Sequence, residues 1–277
     1  MDKAFWRAII EDDYAVPAAH RAGDLLRELT GYLGSTDPEL RDDIAYGITA
    51  RWIDRQVLAP DDLRPLIDPL AANLAGDIGE EGADSVFLRS FSALVLAAFV
   101  YYDNHRLPVL DRSEARALFE KALAYAAAEK DRRGYVPGKG WAHAVAHTAD
   151  LLDEFAASRH LDGADLERIL AALSGMVTAP GSTILLYNED DRLARAACSV
   201  LQREIVPRKT IAGWLDAMGG LRDRLGTATL FSDPAHHGAY INTRGFLRGL
   251  YVQLTGDQHP DSLRAWATGV RAALVRL

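Results

Sequence analysis

The chain has one cysteine, Cys198, in 277 residues, so no disulfide can form within it. That usage fits a reducing compartment, and a cytoplasmic location is the expectation. Ala196, Ala197, Val200 and Leu201 flank the thiol and mark it as a packed structural cysteine rather than a nucleophile. Long hydrophobic runs are also missing. The longest, Ala93 to Tyr102, is half the length of about 20 residues that a helix needs to cross a bilayer. No basic segment with an apolar core follows Met1, so no secretory leader is expected. Positive charge is in deficit: 31 Lys and Arg stand against 39 Asp and Glu, a net −8. Nucleic acid and anionic membrane both reward a basic face, so neither is an expected partner. Several catalytic signatures are absent as well. There is no Gly-x-Ser-x-Gly elbow, no dinucleotide fingerprint, no Cys-x-x-Cys pair, no EF-hand loop and no His-Asp dipeptide.

What is present is helical periodicity almost throughout. Apolar residues make up 49% and charged residues 25%, an ordinary balance for a globular chain long enough to bury a sizeable core. Asp37-Pro38-Glu39-Leu40 reads as an N-cap followed by proline in the first turn. Asp111-Arg112-Ser113-Glu114 has the spacing of a capping box. The pattern predicts helices over roughly 17–34, 38–57, 61–76, 84–103, 111–130, 140–158, 162–177, 189–204, 209–225 and 242–255, with a last segment opening at Asp261. Residues 180–187 are the one strand-like stretch and read better as a loop. His236-His237 reads as a surface loop. No linker divides the chain. The expected fold is therefore one all-α domain over 1–277, a right-handed stack of antiparallel helical hairpins resembling a HEAT-type α-solenoid.

One stretch stands out: Gly138-Lys139-Gly140-Trp141-Ala142-His143-Ala144-Val145-Ala146-His147-Thr148-Ala149-Asp150. At about 100° per residue, a helix through it puts His143, His147 and Asp150 on one narrow stripe. Alanine, valine and leucine surround them. Such a trio suits three roles: a hydrogen-bonded structural cluster, a divalent-metal site, or an acid/base pair with Asp150 fixing an imidazole tautomer. Ala144 occupies the place where a His-Glu-x-x-His metalloprotease helix carries its base, so that chemistry is disfavoured. The glycine turn before the helix offers amide groups to an anion, with Lys139 beside them. Its glycine spacing does not match a nucleotide P-loop. Glu189-Asp190-Asp191 opens another helix, where acidic residues suit the dipole and one or two of these carboxylates, Asp190 among them, can also face the histidines. Arg89, Arg244 and Arg248 lie among large apolar residues. They are expected either to pair with Asp131, Asp150 or Asp190 or to clamp a carboxylate or phosphate.

Four segments together resemble a bacterial family catalogued only as a domain of unknown function. They are Asp84-Ser85-Val86-Phe87-Leu88-Arg89-Ser90-Phe91-Ser92, Glu129-Lys130-Asp131-Arg132-Arg133-Gly134-Tyr135, the Gly138 to Asp150 stretch, and Glu189-Asp190-Asp191-Arg192-Leu193-Ala194. The Gly-Trp-x-His-x-x-x-His-x-x-Asp core is the most specific of these. The resemblance covers about 30–255. It implies an all-helical, solenoid-like fold with a polar site at the motif, and it brings no activity with it. Two functions follow as expectations. One is a small-molecule site, possibly an enzyme, that takes an anionic molecule or a metal, with His143, His147 and Asp150 at its centre and Trp141 at its rim or floor. The other is a helical-repeat module that binds a peptide or protein.

Overall fold

The computed structural model describes residues 1–256 and 259–277. Among the described residues the chain is helical except for one small hairpin and its connecting loops. Backbone contacts divide it into two compact units, Met1–Glu154 and Phe155–Leu277, with the boundary inside the Ala144–Ala157 helix.

In the first unit the helix Ser85–His105 forms the core, and its buried face includes Phe87, Phe91, Leu96 and Phe99. It is the one described helix long and apolar enough to cross a membrane, yet 78% of its apolar window is buried inside the protein. The Pro60–Asn73 helix packs along it. The Arg112–Ala128 helix starts at the capping box expected from sequence. Asp111 Oδ1 accepts the Ser113 and Glu114 amides at 2.7 and 2.9 Å, and Glu114 Oε2 accepts the Asp111 amide at 2.8 Å.

The segment expected to be one helix over 38–57 is different. Asp37 does cap it, accepting the Glu39 amide at 3.1 Å. Glu39–Tyr46 is then a π-helix, and only Gly47–Asp54 is α-helical. A π-helix bonds i to i+5 and so turns its side chains out of the 3.6-residue register; such segments gather at functional sites. Here it drives Arg41 fully into the interior.

The second correction concerns 140–158. Tyr135–Val136 and Gly140–Trp141 pair as an antiparallel hairpin, and the α-helix begins only at Ala144. Gly140 at φ +79° and His143 at φ +52° provide the two left-handed turns that take the chain from strand to helix. The expected one-face stripe is thus broken at its start, because His143 precedes the helix.

The second unit is built on the long helix Pro234–Leu254, with Glu189–Gln202, Trp266–Arg276 and Gly163–Thr178 packed on it. His236-His237 lies in its first turn rather than in a loop, and His236 Nδ1 sits 2.6 Å from the capping Asp233. The 180–187 stretch is a loop. Buried Asn242 pins it, with Oδ1 accepting the Leu185 amide at 2.9 Å and Nδ2 donating to Thr183 O at 3.0 Å.

Glu189 is buried at the start of its helix. Burial raises its carboxyl above the usual range even though it accepts the Tyr187 amide at 2.7 Å. The folded state therefore holds the Glu189 proton more tightly than the unfolded chain. The resulting stability is greatest below the unfolded pKa and is lost as pH rises through the folded one. Glu189→Gln keeps the amide acceptor and removes the charge. Its urea midpoint should lose less between about pH 4 and pH 6.5 than the parent's. Parallel pH profiles would contradict the assignment.

Candidate functional site

The site belongs to the first unit and is built from three pieces: the Ser85–His105 helix, the hairpin, and the first turns of the Ala144–Ala157 helix. The hairpin delivers Trp141. Its ring stacks on that of His143, with centroids 4.4 Å apart and planes at 22°. Tyr135, across the hairpin, meets Trp141 edge-on at 5.0 Å. These two rings are the exposed part, at 37% for Trp141 and 47% for Tyr135. Beneath them His143 and His147 are buried, with ring centroids 5.8 Å apart and nearly perpendicular. Phe91 closes the inner side, edge-on to His147 at 4.9 Å.

The hydrogen bonding of His147 assigns its tautomer. Ser90 Oγ lies 2.7 Å from His147 Nδ1, and the same hydroxyl donates to the carbonyl of Ala142. A serine has one proton to give. With that proton on the Ala142 carbonyl, the Ser90 oxygen can only accept from the imidazole, so Nδ1 carries the ring hydrogen. A neutral ring of this tautomer has its lone pair on Nε2. Ser90 is thereby excluded as a nucleophile activated by this histidine, because its proton points the other way. A backbone bond from the His147 amide to the His143 carbonyl, 2.9 Å, closes the first helical turn and sets the spacing of the two rings.

The other expected residues are placed as follows. Asp150 is half-buried on the next turn. Among the described residues, no three or more His, Cys, Asp or Glu side chains are grouped so as to hold a metal ion. Lys139 Nζ reaches both oxygens of Asp84 at 2.7 Å on the exposed edge of the hairpin. Asp131 is buried and takes Arg133 on both oxygens, with Nε 2.9 Å from Oδ1 and Nη2 2.6 Å from Oδ2. It also accepts the Gly82 amide at 3.0 Å, so it locks two loops together. Arg89 is fully buried and each guanidinium nitrogen has a protein partner. Nε and Nη2 meet Glu129 at 2.6 and 3.2 Å, and Nη1 meets the Gly76 and Asp77 carbonyls at 3.0 and 2.9 Å. Pairing with Asp131, Asp150 or Asp190, or a role as an anion clamp, is the sequence expectation for Arg89. The structure gives it Glu129 and two carbonyls instead, because the chain after the Pro60–Asn73 helix turns back over it.

Asp190, Arg244 and Arg248 belong to the second unit. Arg244 and Arg248 lie on the exposed side of the Pro234–Leu254 helix, not among apolar residues as expected. The packed side at this level carries Gly245 and Gly249. A Cβ on either would come within 2.8 Å of a carboxylate oxygen, of Asp190 and Asp191 respectively. Burial, and Asp191 beside it, raise the Asp190 carboxyl.

Sequence reasoning missed Ser90, Phe91 and Arg41. Arg41 is wholly buried, its guanidinium carbon 4.2 Å from the Phe87 ring centre and 4.8 Å from that of Phe91. It donates to the Ser35 and Lys139 carbonyls at 2.7 and 2.8 Å and pairs with Asp42 at 2.7 Å. Burial lowers the Arg41 pKa and raises that of Asp42, each partly offset by the other's charge. Nothing in Glu39-Leu40-Arg41-Asp42-Asp43 distinguishes it from a solvated charged face.

A family model described as "Protein of unknown function (DUF2785)" matches residues 74–252. The chain belongs to this family. The match spans the hairpin, both histidines and the Ser85–His105 helix, so the DUF2785 region holds every ring of the site. It begins later than the expected 30 and therefore leaves out the π-helix that carries Arg41. No curated protein and no solved structure matches the chain.

Proposed function

We propose that the His143–His147 pair is a small-molecule site in which His147 Nε2 acts as a general base. One observation carries this reading: the Ser90 hydroxyl, committed to the Ala142 carbonyl, holds the His147 proton on Nδ1. A hydrogen-bond partner that fixes the tautomer of the imidazole is part of the arrangement general bases need. His143, stacked under Trp141 and set at right angles to His147, is the second imidazole of the pair. The substrate class that suits a neutral acceptor nitrogen is a small molecule presenting an acidic O–H or N–H. An anion clamp from Arg89 receives no support from its filled guanidinium, and the reading does not call on a metal. Addition of EDTA or Zn2+ is expected to leave the melting temperature unchanged.

Diethylpyrocarbonate tests the reading without knowledge of the substrate. It acylates neutral imidazole nitrogens that carry a lone pair and are open to a small molecule. Mass spectrometry should find His147 modified in the folded protein. An untouched His147 while the half-exposed His105 is fully modified would overturn the proposal.

A second reading, a surface for a peptide or protein in a cytoplasmic HEAT-like array, has one observation in its favour. Tyr135 and Trp141 stand exposed side by side on the hairpin, and aromatic residues of this kind anchor partners. Tyr135→Ala, which leaves Trp141 stacked on His143, should then weaken partner binding.

A further inference from the structure

The first unit also holds an open apolar cavity of about 340 Å³ between the Pro60–Asn73 and Arg112–Ala128 helices. That volume lies in the range of small-molecule sites, about 300–1,000 Å³. Lys121, Ala124, Tyr125 and Ala128 recur at helical intervals and form one wall. Leu74, Ile78 and three alanines, at the end of the other helix and just beyond it, form the opposite wall. Leu74 and Tyr125 are buried and make the floor, while Ala124 and Ala128 are exposed at the rim. The Tyr125 oxygen is sealed beside Glu129 and Thr148, so the ring is the part that lines the cavity.

The walls are fixed by bonds that owe nothing to a ligand. Ile78 follows Gly76 and Asp77, whose carbonyls Arg89 holds at 3.0 and 2.9 Å. Gly82, further along the same loop, donates its amide to Asp131 at 3.0 Å. Nearer the starts of the two helices, Arg64 Nη1 meets Glu114 Oε1 at 2.6 Å. A cavity held open in this way spares a ligand the cost of ordering the protein around it. Its charge is one-sided. Among the described residues that line it, Lys121 alone carries a charge. The Lys121 ammonium has Asp68 Oδ1 at 3.5 Å, and the Asp68 side chain is 93% exposed. A surface pair of that kind is worth little, so the ammonium is free to turn to an anion at the mouth.

We infer that this cavity binds a small aliphatic carboxylate, with its chain against the alanines and the Tyr125 ring and its carboxylate on Lys121. The lining side chains offer no polar partner besides Lys121, so the rest of the ligand is hydrocarbon; a second polar group would be buried unmet. The positive rim selects a carboxylate over an amine of the same length. Nothing in this inference depends on the tautomer of His147, so it stands apart from the general-base reading and goes beyond it.

The test is a titration of the full-length protein, labelled with 13C at its alanine methyls, with octanoate. The Ala124 and Ala128 methyl signals should shift and saturate, with a Kd of about 1 mM or below. Hexanoate should bind about 15-fold more weakly, since each methylene lost costs about fourfold. Lys121→Met should weaken octanoate about threefold or more and leave 1-octanol nearly unchanged, while Asp68→Asn, which removes the competing carboxylate, should tighten octanoate. Ala124→Phe fills the cavity from its exposed rim and should weaken both ligands about tenfold or more, read at Ala128. If that variant proves unstable, Ala75→Leu fills it from the other wall with the same expected result. Signals that do not saturate, or equal octanoate binding in the parent and a folded filling variant, would overturn the site. Octanoate binding untouched by Lys121→Met would overturn the carboxylate assignment. Methyl shifts that follow protein concentration with no ligand present would give the cavity to a second copy of the chain and overturn the proposal.

Discussion

Arg89→Ala should be the most damaging single change in the first unit, with a loss of about 3–5 kcal/mol, the range for removing one member of a buried ion pair. Glu129, its side chain 6% exposed, is left with no guanidinium to meet it. The Gly76 and Asp77 carbonyls lose their donor as well. Domains of this size carry about 5–15 kcal/mol of stability in total, so the variant should accumulate poorly at 37 °C. The cost of a stranded charge is separable from that of lost packing. Arg89→Met with Glu129→Gln removes both charges and keeps most of the volume, so it should recover much of the loss. Urea midpoints followed by tryptophan fluorescence read the comparison. A loss under about 1 kcal/mol for Arg89→Ala would place the pair among surface ion pairs and contradict the account.

Gly140→Ala should rank next, at about 2–4 kcal/mol, because two penalties add there. The residue sits at φ +79°, where a side chain is strained. Its Cβ would also lie 2.8 Å from Pro38 Cβ and 3.0 Å from Arg41 Nη2. The proline ring cannot swing away, and the guanidinium is wedged between two phenyl rings and two carbonyls. Gly138→Ala is the built-in control. Its φ is +76°, yet nothing lies within 4 Å of the new Cβ, so only the backbone strain remains. It should cost about 1 kcal/mol. Equal losses for the two variants would mean that the hairpin does not press on Arg41 as described.

The helices were legible because their apolar residues recur at helical intervals and their ends carry recognisable caps, as at Asp111 and Asp37. The histidine spacing was legible too, and the two rings do meet. How they meet was not. A reader of the sequence sees His143 and His147 four apart and assumes one helix. The chain instead uses left-handed turns at Gly140 and His143 to leave a strand, and no periodicity announces that. The π-helix was invisible for a related reason, since a shift from i+4 to i+5 bonding leaves no pattern in eight residues. Arg41 therefore read as one charge among several and turned out to be the deepest cation of the site. The arginines at 244 and 248 misled in the opposite direction. Large apolar neighbours suggested burial, but at this level of the helix the packed side belongs to Gly245 and Gly249, whose missing side chains let the Asp190 and Asp191 carboxylates approach.

The proton on His147 decides the account. Fifteen-nitrogen NMR of the unmodified protein near pH 7 reads both ring nitrogens directly. A general base at His147 predicts a neutral imidazole with its hydrogen on Nδ1, and Ser90→Ala should release that preference. A hydrogen found on Nε2, or a ring charged at that pH, would mean that the Ser90 proton points toward the imidazole after all, and the general base would be gone.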